Sequence, residues 1–403
     1  MYIYKAAVLG AGIMGAEIAQ VITYSGLPVI LKDVNDEAVQ KGIAKVRKIY
    51  QERVDKGKMT STEMEQKLAL ISGAVDFKDF GDVDIVIEAV PEDMKIKQKV
   101  LQELEKSCPE STIFASNTSA LSITEMASAT KKPDKVIGMH FFNPAYKMKL
   151  VEVIPGLTTS QETVEDVVAF TESLRKIAVR VQECAGFLVN RILMPYLNEA
   201  VLAVQEGAAT AKETDDALLA FGMPMGPFAL ADILGLDTAE RVAQILYNAY
   251  GPRMAPAQLL TEIVKGKRFG TKTGAGFYNY EKESDDTLNK LIEKTQKQTG
   301  IKGTAFSADR LISILINEAV ICLQENVSSA GDIDIAMMAG TGFPQDKGGP
   351  LHYADQIGLD TVLASLEKYA KELGFRFWPA PMLKRMVAGG LLGVKTKRGF
   401  FNY

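Results

Sequence analysis

The hydrophobic pattern of the chain changes near its middle. Up to about residue 181, short apolar runs of strand length alternate with stretches whose apolar residues recur at helical spacing. This alternation is typical of an α/β domain in which helices cover both faces of a doubly wound parallel sheet. The predicted strands are the apolar runs at residues 6–9, 28–31, 84–89, 111–115, 136–139 and 150–153.

A long charged segment, residues 35–70, interrupts this alternation. Its apolar residues keep helical spacing on both sides of a break near Gly57, which predicts a helical hairpin that projects from the sheet. The segment also carries a basic set, which fits either a solvated helix face or a surface that binds an anion. The basic set consists of Lys41, Lys45, Arg47, Lys48, Arg53, Lys56 and Lys58.

From about residue 184 the pattern is helical throughout, and this part of the chain contains an internal repeat. Three blocks recur in the same order: 198–201 as 317–320, 235–238 as 358–361, and 272–280 as 395–403. A polar stretch joins the two copies. The sequence therefore predicts an α/β domain at residues 1–183 and a first all-α domain at 184–280. A linker at 281–304 joins them to a second, similar all-α domain at 305–403.

The turn after the first strand has the glycine spacing of a dinucleotide-binding fingerprint. Gly10 permits a tight turn, Gly12 lets the backbone approach a pyrophosphate, and Gly15 lets the following helix lie close to the sheet. The second strand leads to Asp33, whose carboxylate would bind a ribose 2′-hydroxyl and repel a 2′-phosphate. The pattern favours a Rossmann-type domain that binds NAD over NADP, with a purely structural glycine turn as the alternative. The candidate cofactor residues here are Gly10, Ala11, Gly12, Ile13, Met14, Gly15 and Asp33.

One of the two histidines of the chain, His140, is followed by a glutamate within an apolar run, Glu152. A neutral imidazole oriented by a carboxylate takes a proton from an alcohol near neutral pH, because its unperturbed pKa is about 6.5. We therefore expect His140 to be a general base and Glu152 its partner. The alternatives are a core histidine at a strand end and an outward-facing glutamate. The other histidine, His352, aligns with Ala229 of the first copy, so we expect it to be structural.

Composition and charge argue against several other classes of protein. The formal net charge is only −4, so nucleic acid is not the expected partner. The three cysteines lie far apart without the spacing of metal ligands, which predicts reduced thiols and no metal site. We expect a cytoplasmic protein, because no apolar run is long enough to span a bilayer and the first strand begins too near Met1 for a signal peptide.

In these motifs the chain resembles the L-3-hydroxyacyl-CoA dehydrogenases, especially the dehydrogenase portion of the multifunctional fatty-acid oxidation enzymes. In that portion two similar helical domains also follow an NAD-binding domain, whereas the enoyl-CoA hydratase portion has no counterpart here. The resemblance implies reversible, NAD-dependent oxidation of an L-3-hydroxyacyl-CoA to a 3-oxoacyl-CoA. It covers nearly the whole chain, and its motifs lie at 10–15, 116–119, 140–144, 186–191 and 224–228.

The resemblance also implies roles for individual residues. His140 matches the catalytic base and Glu152 its carboxylate partner. Ser119 and Asn190 match residues that hydrogen-bond the substrate oxygen and the surroundings of the histidine. The positions near the ribose and the nicotinamide of the cofactor are matched by Glu92, Lys97, Ser119 and Asn143.

Two of these residues also have structural interpretations. Thr118 or Ser119 suits the N-cap of a short helix that begins at Leu121. We expect Asn190 in the middle of a helix, where asparagine is unfavourable unless it has a function.

The resemblance also implies that the helical hairpin contacts CoA. This chain has no clear match for the family's serine in the first helix of the hairpin, so no individual CoA contact is assigned.

Two further functions stay open on the sequence alone. One is a dehydrogenase of a small hydroxy acid without CoA, and the other is a non-catalytic NAD-binding structural protein. The presence of His140, Glu152, Ser119 and Asn190 together argues against the second, because a structural protein does not need all four.

The repeat carries an expectation about assembly. The resemblance implies that the helical domain is the dimer contact of single-repeat relatives. We therefore expect the two copies to pack on each other about a pseudo-two-fold axis, which allows a functional monomer, although a homodimer through another surface stays open. Only the first copy should border the active site, since Asp309 of the second copy aligns with Asn190 of the first.

Overall fold

The chain divides into two compact units, Met1–Phe187 and Leu188–Tyr403. The first holds the α/β fold and the second holds both helical copies. Residues 282–285 and 304, which belong to the predicted linker, lie outside the described residues. The computed structural model describes residues 2–281, 286–303 and 305–403.

One sheet forms the centre of the first unit. Its eight strands among the described residues are β1 (Ala6–Leu9), β2 (Val29–Lys32), β3 (Ile71–Ala74), β4 (Ile85–Glu88), β5 (Ile113–Ser116), β6 (Val136–Phe141), β7 (Leu150–Pro155) and β8 (Ile177–Arg180). They lie side by side in the order β3-β2-β1-β4-β5-β6-β7-β8. The strands from β1 to β6 are parallel, as predicted. However, β7 is antiparallel to β6 and β8 is parallel to β7, so the sheet is mixed rather than wholly parallel.

The reversal at β7 follows from the length of its connection. Only residues 142–149 join β6 to β7, whereas a crossover between parallel strands needs about a dozen residues or more. The chain therefore turns back, and the two strands pair directly. The sequence did not predict β3 and β8, which lie at the two edges of the sheet and are partly exposed, so they lack the continuous apolar run of a central strand.

The α-helices of the first unit are α1 (Ile13–Tyr24), α2 (Asp36–Asp55), α3 (Ser61–Leu68), α4 (Met94–Ser107), α5 (Ile123–Ala127) and α6 (Gln161–Ser173). The predicted hairpin consists of α2 and α3, with Gly57 in the left-handed region between them. Rather than projecting freely, α2 packs along α1, where Tyr50 and Ala16 are both fully buried. A Cβ atom at Gly42 of α2 would lie 2.7 Å from that of Ala11, so α2 contacts the glycine turn itself.

Over its described residues, the second unit contains the same five helices twice. The first copy comprises α7 (Val189–Gln205), α8 (Ala211–Phe221), α9 (Pro227–Leu234), α10 (Leu236–Tyr250) and α11 (Gln258–Lys265). The predicted polar linker contains a helix of its own, α12 (Thr287–Thr299). The second copy comprises α13 (Ala308–Gln324), α14 (Ala330–Thr341), α15 (Pro350–Ile357), α16 (Leu359–Leu373) and α17 (Pro381–Ala388).

Buried aspartates occupy equivalent positions in the two copies. In the first copy, the carboxylate of Asp215 accepts a hydrogen bond from the backbone N–H of Ala229 at 3.1 Å. In the second copy, the carboxylate of Asp334 accepts one from the backbone N–H of His352 at 3.0 Å. His352 therefore occupies the position of Ala229, as the repeat alignment predicted.

The two copies pack on each other through their first helices, α7 and α13. The buried guanidinium of Arg191 on α7 donates to Glu318 on α13 at 2.9 Å, and that of Arg310 on α13 donates to Glu199 on α7 at 2.7 Å. Reciprocal contacts of this kind are what two-fold packing of like surfaces produces. The expected pairing of the two copies is therefore present within the second unit.

Candidate active site

Two of the three fingerprint glycines, Gly10 and Gly15, meet different steric requirements, and the third, Gly12, borders open space. Gly10 has a φ of +93°, and a Cβ atom there would lie 2.6 Å from the carbonyl oxygen of Ala89. A Cβ atom at Gly15 would lie 1.7 Å from the carbonyl oxygen of Gly10, so only glycine lets α1 approach the turn this closely. At Gly12 a Cβ atom would meet nothing within 4 Å. The backbone there faces open space at the start of α1, where free N–H groups and the helix dipole favour a phosphate.

The carboxylate of Asp33 lies next to this turn, just beyond the end of β2. Its Oδ2 accepts the backbone N–H of Ala11 at 2.6 Å, and its Oδ1 accepts that of Val34 at 2.7 Å. Both hydrogen bonds fix the carboxylate at the turn while leaving it partly exposed. This is the position from which an acidic side chain binds a ribose diol.

The ammonium group of Lys97 is buried in an ion-pair network. Lys97 is only 1% exposed, and its Nζ lies 2.7 Å from Oε1 of Glu88 and 3.3 Å from Oε2 of Glu92. Glu92 in turn accepts hydrogen bonds from Oγ1 of Thr118 at 2.6 Å and from the backbone N–H of Ser119 at 3.0 Å. The predicted cofactor residues Glu92, Lys97 and Ser119 therefore lie together, and Glu92 holds the loop that carries Ser119.

Glu88 was not predicted from the sequence as part of the site. This residue ends β4, is 1% exposed, and accepts from Lys97, from the backbone N–H of Val90 and from Oγ of Ser116. Its place in an apolar run of strand length was the available signal, since a buried carboxylate there needs several donors.

The short helix α5 is capped by Ser122, whose Oγ accepts the backbone N–H of Glu125 at 3.1 Å. The expected cap at Thr118 or Ser119 is therefore wrong. Oγ1 of Thr118 instead accepts the N–H groups of the turn that precedes the helix. The hydroxyl of Ser119 consequently has no role as a cap of α5.

The side chains of His140 and Glu152 form a buried pair. They lie directly opposite each other on β6 and β7, and Nδ1 of His140 is 2.8 Å from Oε2 of Glu152. The histidine is 6% exposed and the glutamate is not exposed at all, so Glu152 does not face outward. Aromatic rings of Phe142 and Phe187 flank the imidazole. A proton on Nδ1 satisfies the carboxylate and leaves Nε2 to accept a proton from a bound alcohol.

The loop between β6 and β7 carries Asn143, which is exposed. The loop is held at Ala145, whose N–H donates to Glu17 on α1 at 2.7 Å and whose carbonyl accepts from Nζ of Lys176 at 2.6 Å. Burial lowers the pKa of Lys176 to about 8. At the start of the loop, the amide oxygen of Asn117 accepts the backbone N–H of Phe141 at 2.8 Å. Asn143 therefore lies between two held residues, Phe141 and Ala145.

Asn190 belongs to the second unit, where it is the second residue of α7. The expected mid-helix position is wrong, because the apolar run around it spans the start of the helix rather than its interior. Its counterpart Asp309 is likewise the second residue of α13, and Asp309 accepts a hydrogen bond from the hydroxyl of Tyr369 at 3.1 Å. The two residues thus occupy equivalent positions, and Asp309 is engaged within its own copy.

Over the residues that the structure describes, no cluster of histidine, cysteine, aspartate and glutamate side chains has the arrangement of a metal site. Within the same residues, no helix combines the length and the apolar character needed to cross a membrane.

The chain matches two domain families over nearly its whole length. Residues 5–184 match the family described as 3-hydroxyacyl-CoA dehydrogenase, NAD binding domain. Residues 186–280 and 306–403 match the 3-hydroxyacyl-CoA dehydrogenase, C-terminal domain. The C-terminal family therefore matches both helical copies, in agreement with the internal repeat.

Curated relatives include the fatty acid oxidation complex subunit alpha of Psychrobacter sp. (strain PRwf-1), with 40% identity over 403 residues, 96% of this chain and 55% of the relative. The protein of the same name from Acinetobacter baumannii (strain AYE) is 39% identical over 396 residues, 95% of this chain and 55% of the relative. The chain thus spans only 55% of the length of these relatives.

Similar solved structures include a 3-hydroxybutyryl-CoA dehydrogenase from Escherichia coli K12, with a TM-score of 0.88, 30% identity and coverage of 97% of this chain and 100% of that chain. An (S)-3-hydroxybutyryl-CoA dehydrogenase from Ralstonia eutropha has a TM-score of 0.68 and 42% identity, covering 70% of this chain and 100% of that chain. The domain matches and these relatives agree with the glycine turn and the buried histidine, and the chain belongs to the 3-hydroxyacyl-CoA dehydrogenase family.

Proposed function

We propose that this protein is an NAD-dependent dehydrogenase that interconverts an L-3-hydroxyacyl-CoA and a 3-oxoacyl-CoA, with His140 as the general base. The observation that carries the proposal is the buried 2.8 Å contact between Nδ1 of His140 and Glu152. His140 lies near the carboxyl end of β6, at the same sheet edge as the glycine turn that follows β1. Ligands of open α/β sheets bind at this edge. The L configuration is taken from the family.

The first unit offers a fit for NAD: open space over Gly12, an α1 N-terminus without a side-chain cap, and the fixed carboxylate of Asp33. When bound, NAD supplies the acceptor for the hydride that leaves C3 of the substrate. His140 takes the hydroxyl proton at Nε2. Glu152 holds the ring and stabilises the imidazolium that forms.

The remaining candidate residues receive roles in the same proposal. Ser119 and Asn190 hydrogen-bond the substrate oxygen, which gains partial negative charge during transfer of its proton to His140. Asn143 and Glu92 lie on the cofactor side. Because the ammonium group of Lys97 is buried between two carboxylates, we assign Lys97 to holding Glu92 rather than to direct contact with NAD.

The CoA thioester is the substrate class that the names of the relatives support. The basic set on the hairpin, such as Lys41 and Lys48 on the exposed face of α2, supports electrostatic attraction of the CoA phosphates. The proposal also includes a cytoplasmic location and a monomer, the latter because the two helical copies already bury their first helices against each other. Sedimentation of the 43.9 kDa chain tests the monomer, and a larger mass would refute it.

The test is an NADH absorbance assay over a panel of 3-oxoacyl-CoA thioesters, with free hydroxy acids and NAD as a second arm. We expect turnover of the thioesters, and His140→Gln should lower kcat by about 10² to 10⁴ while NAD affinity is kept. The matched control is His352→Gln, the other histidine, which should stay within about twofold of the parent. Near-normal turnover in His140→Gln would refute the base, and turnover of free acids alone would refute the CoA substrate.

A further inference from the structure

The fingerprint helix α1 contains a buried carboxylate that the mechanism above does not use. The side chain of Glu17 is 5% exposed on a helix that is otherwise largely apolar. A carboxylate is costly to bury unless its oxygens have partners, so the partners indicate its role. Its Oε2 accepts the backbone N–H of Ala145 at 2.7 Å, and its Oε1 lies 3.3 Å from Nζ of Lys45 on α2.

Ala145 belongs to the loop between β6 and β7, the segment that separates His140 from Glu152. Ala145 is 1% exposed, so loss of Glu17 would remove the acceptor of a buried N–H group, which is unfavourable. The other side of the same residue is also held, because Nζ of Lys176 donates to its carbonyl oxygen at 2.6 Å and to that of Met148 at 2.7 Å. The loop is thus held by the carboxylate of Glu17 on one side and by the ammonium group of Lys176 on the other.

Glu17 also connects the loop to the hairpin. Lys45, which lies beside the second oxygen of Glu17, is within 3.5 Å of the carbonyl oxygen of Ile13 in the glycine turn. One carboxylate therefore joins three segments: the cofactor helix, the hairpin helix α2 and the loop that carries Asn143 two residues before Ala145. Neighbouring sequence does not predict this link, since Glu17 and Ala145 are 128 residues apart.

We propose that Glu17 is a positioning residue that ties the β6–β7 loop to the cofactor helix, and thereby sets Asn143 relative to His140 and the bound nicotinamide. This inference rests on the proposed dehydrogenase function. It predicts a loss that falls on kcat and on the KM for NAD, because the loop is on the cofactor side. The KM for the acyl-CoA substrate should change little.

The test compares two substitutions of similar size. Glu17→Met removes both contacts and should lower kcat tenfold or more, because a displacement of about 1 Å in a reacting group can cost about 10²-fold. It should also raise the KM for NAD several-fold. Glu17→Gln keeps an oxygen that can accept the N–H of Ala145, so kcat should stay within about threefold of the parent. The matched control is Glu165→Met, an exposed glutamate on α6 of the same unit, which should leave all three parameters unchanged.

Hydrogen exchange separates this inference from the proposed function, because it needs no turnover. In folded Glu17→Met, the amides of residues 142–149 should exchange faster than in the parent, and in Glu165→Met they should not. Where Glu17→Met fails to fold, Lys176→Met releases the same loop from the other side and should give the same kinetic split. Unchanged exchange with unchanged kcat and KM for NAD overturns the proposal, as does a Glu17→Gln variant as impaired as Glu17→Met. A parent without dehydrogenase activity refutes the proposed function instead.

Discussion

Replacing Glu152 by glutamine separates two effects of its carboxylate on His140, namely orientation of the ring and stabilisation of the imidazolium. Glutamine is nearly the same size and keeps an oxygen that can accept the proton on Nδ1, so the ring can stay in place. The negative charge is lost. Because Glu152 is fully buried, no water replaces that charge when the imidazolium forms.

The magnitude follows from the geometry of the pair. The contact of 2.8 Å between Nδ1 and Oε2 implies charge centres about 4 Å apart, for which the interaction is about 4 kcal/mol at an effective dielectric constant of about 20. Since about 1.36 kcal/mol corresponds to a factor of ten in rate, Glu152→Gln should lower kcat by about 10³-fold. The matched variant Glu152→Asp keeps the charge but withdraws the carboxylate by one methylene.

The assay is kcat from NADH absorbance at saturating substrate, with circular dichroism to establish that each variant is folded. If charge dominates, Glu152→Asp retains more activity than Glu152→Gln. If orientation dominates, the order is reversed. A folded Glu152→Gln variant within tenfold of the parent would refute the reasoning, because it would mean that the imidazolium does not depend on this carboxylate.

Three further predictions concern other parts of the chain. Asp33→Ser should narrow the preference for NAD over NADP in kcat/KM, and equal use of both cofactors by the parent would contradict the assignment of Asp33. Asn190→Ala should lower turnover while Asp309→Ala changes only the thermal midpoint; equal kinetic losses in both would contradict a role confined to the first copy. Burial raises the pKa of Asp334 to about 7, above its usual 3.8. The contribution of Asp334 to the free energy of unfolding therefore falls as pH rises from about 4 to 7. In the first copy the hydroxyl of Tyr278 donates to the equivalent carboxylate, Asp215, at 2.8 Å, and Phe401 occupies the position of Tyr278 in the second copy. Phe401→Tyr should therefore lower the pKa of Asp334, and the free energy of unfolding of this variant should rise relative to the parent as pH approaches about 7. A difference that does not depend on pH would refute this cause.

The features that the sequence predicted well depend on local backbone rules. The glycine turn and Asp33 follow from steric limits and from the strand–turn–helix order, and Gly10 and Gly15 each have a separate steric reason in the structure. The contact of His140 with Glu152 was expected, but the antiparallel direction of β7 that creates it was not. The two residues lie opposite each other because β7 runs antiparallel to β6.

The features that the sequence did not reveal depend on contacts between distant segments. Glu17 and Glu88 lie in apolar stretches of a helix and a strand, and nothing near them in sequence indicates the donors that they meet. Helix boundaries were a second limit. The apolar run around Asn190 continues across the helix start, so helical spacing alone could not distinguish the first turn of α7 from its interior.

The ion pairs between the two copies determine how α7 and α13 align. They do not determine whether a copy pairs with the other copy of its own chain or with a copy in a second chain. Arg191 donates to Glu318 and Glu325, while Arg310 donates to Glu199 and Glu206. The first helix of each copy, together with the residue that follows it, therefore carries one arginine and two glutamates at matching positions. Two copies of α7 could therefore satisfy the same pattern.

The pairing within the chain is favoured because the linker keeps the second copy at a high effective concentration. A chain that ends at Tyr280 should consequently form a homodimer through α7, and sedimentation would detect a doubled mass. Adding Arg191→Glu to that chain sets like charges against each other and should abolish the dimer. A truncated chain that stays a soluble, fully active monomer would show that the second copy is not the partner that α7 requires.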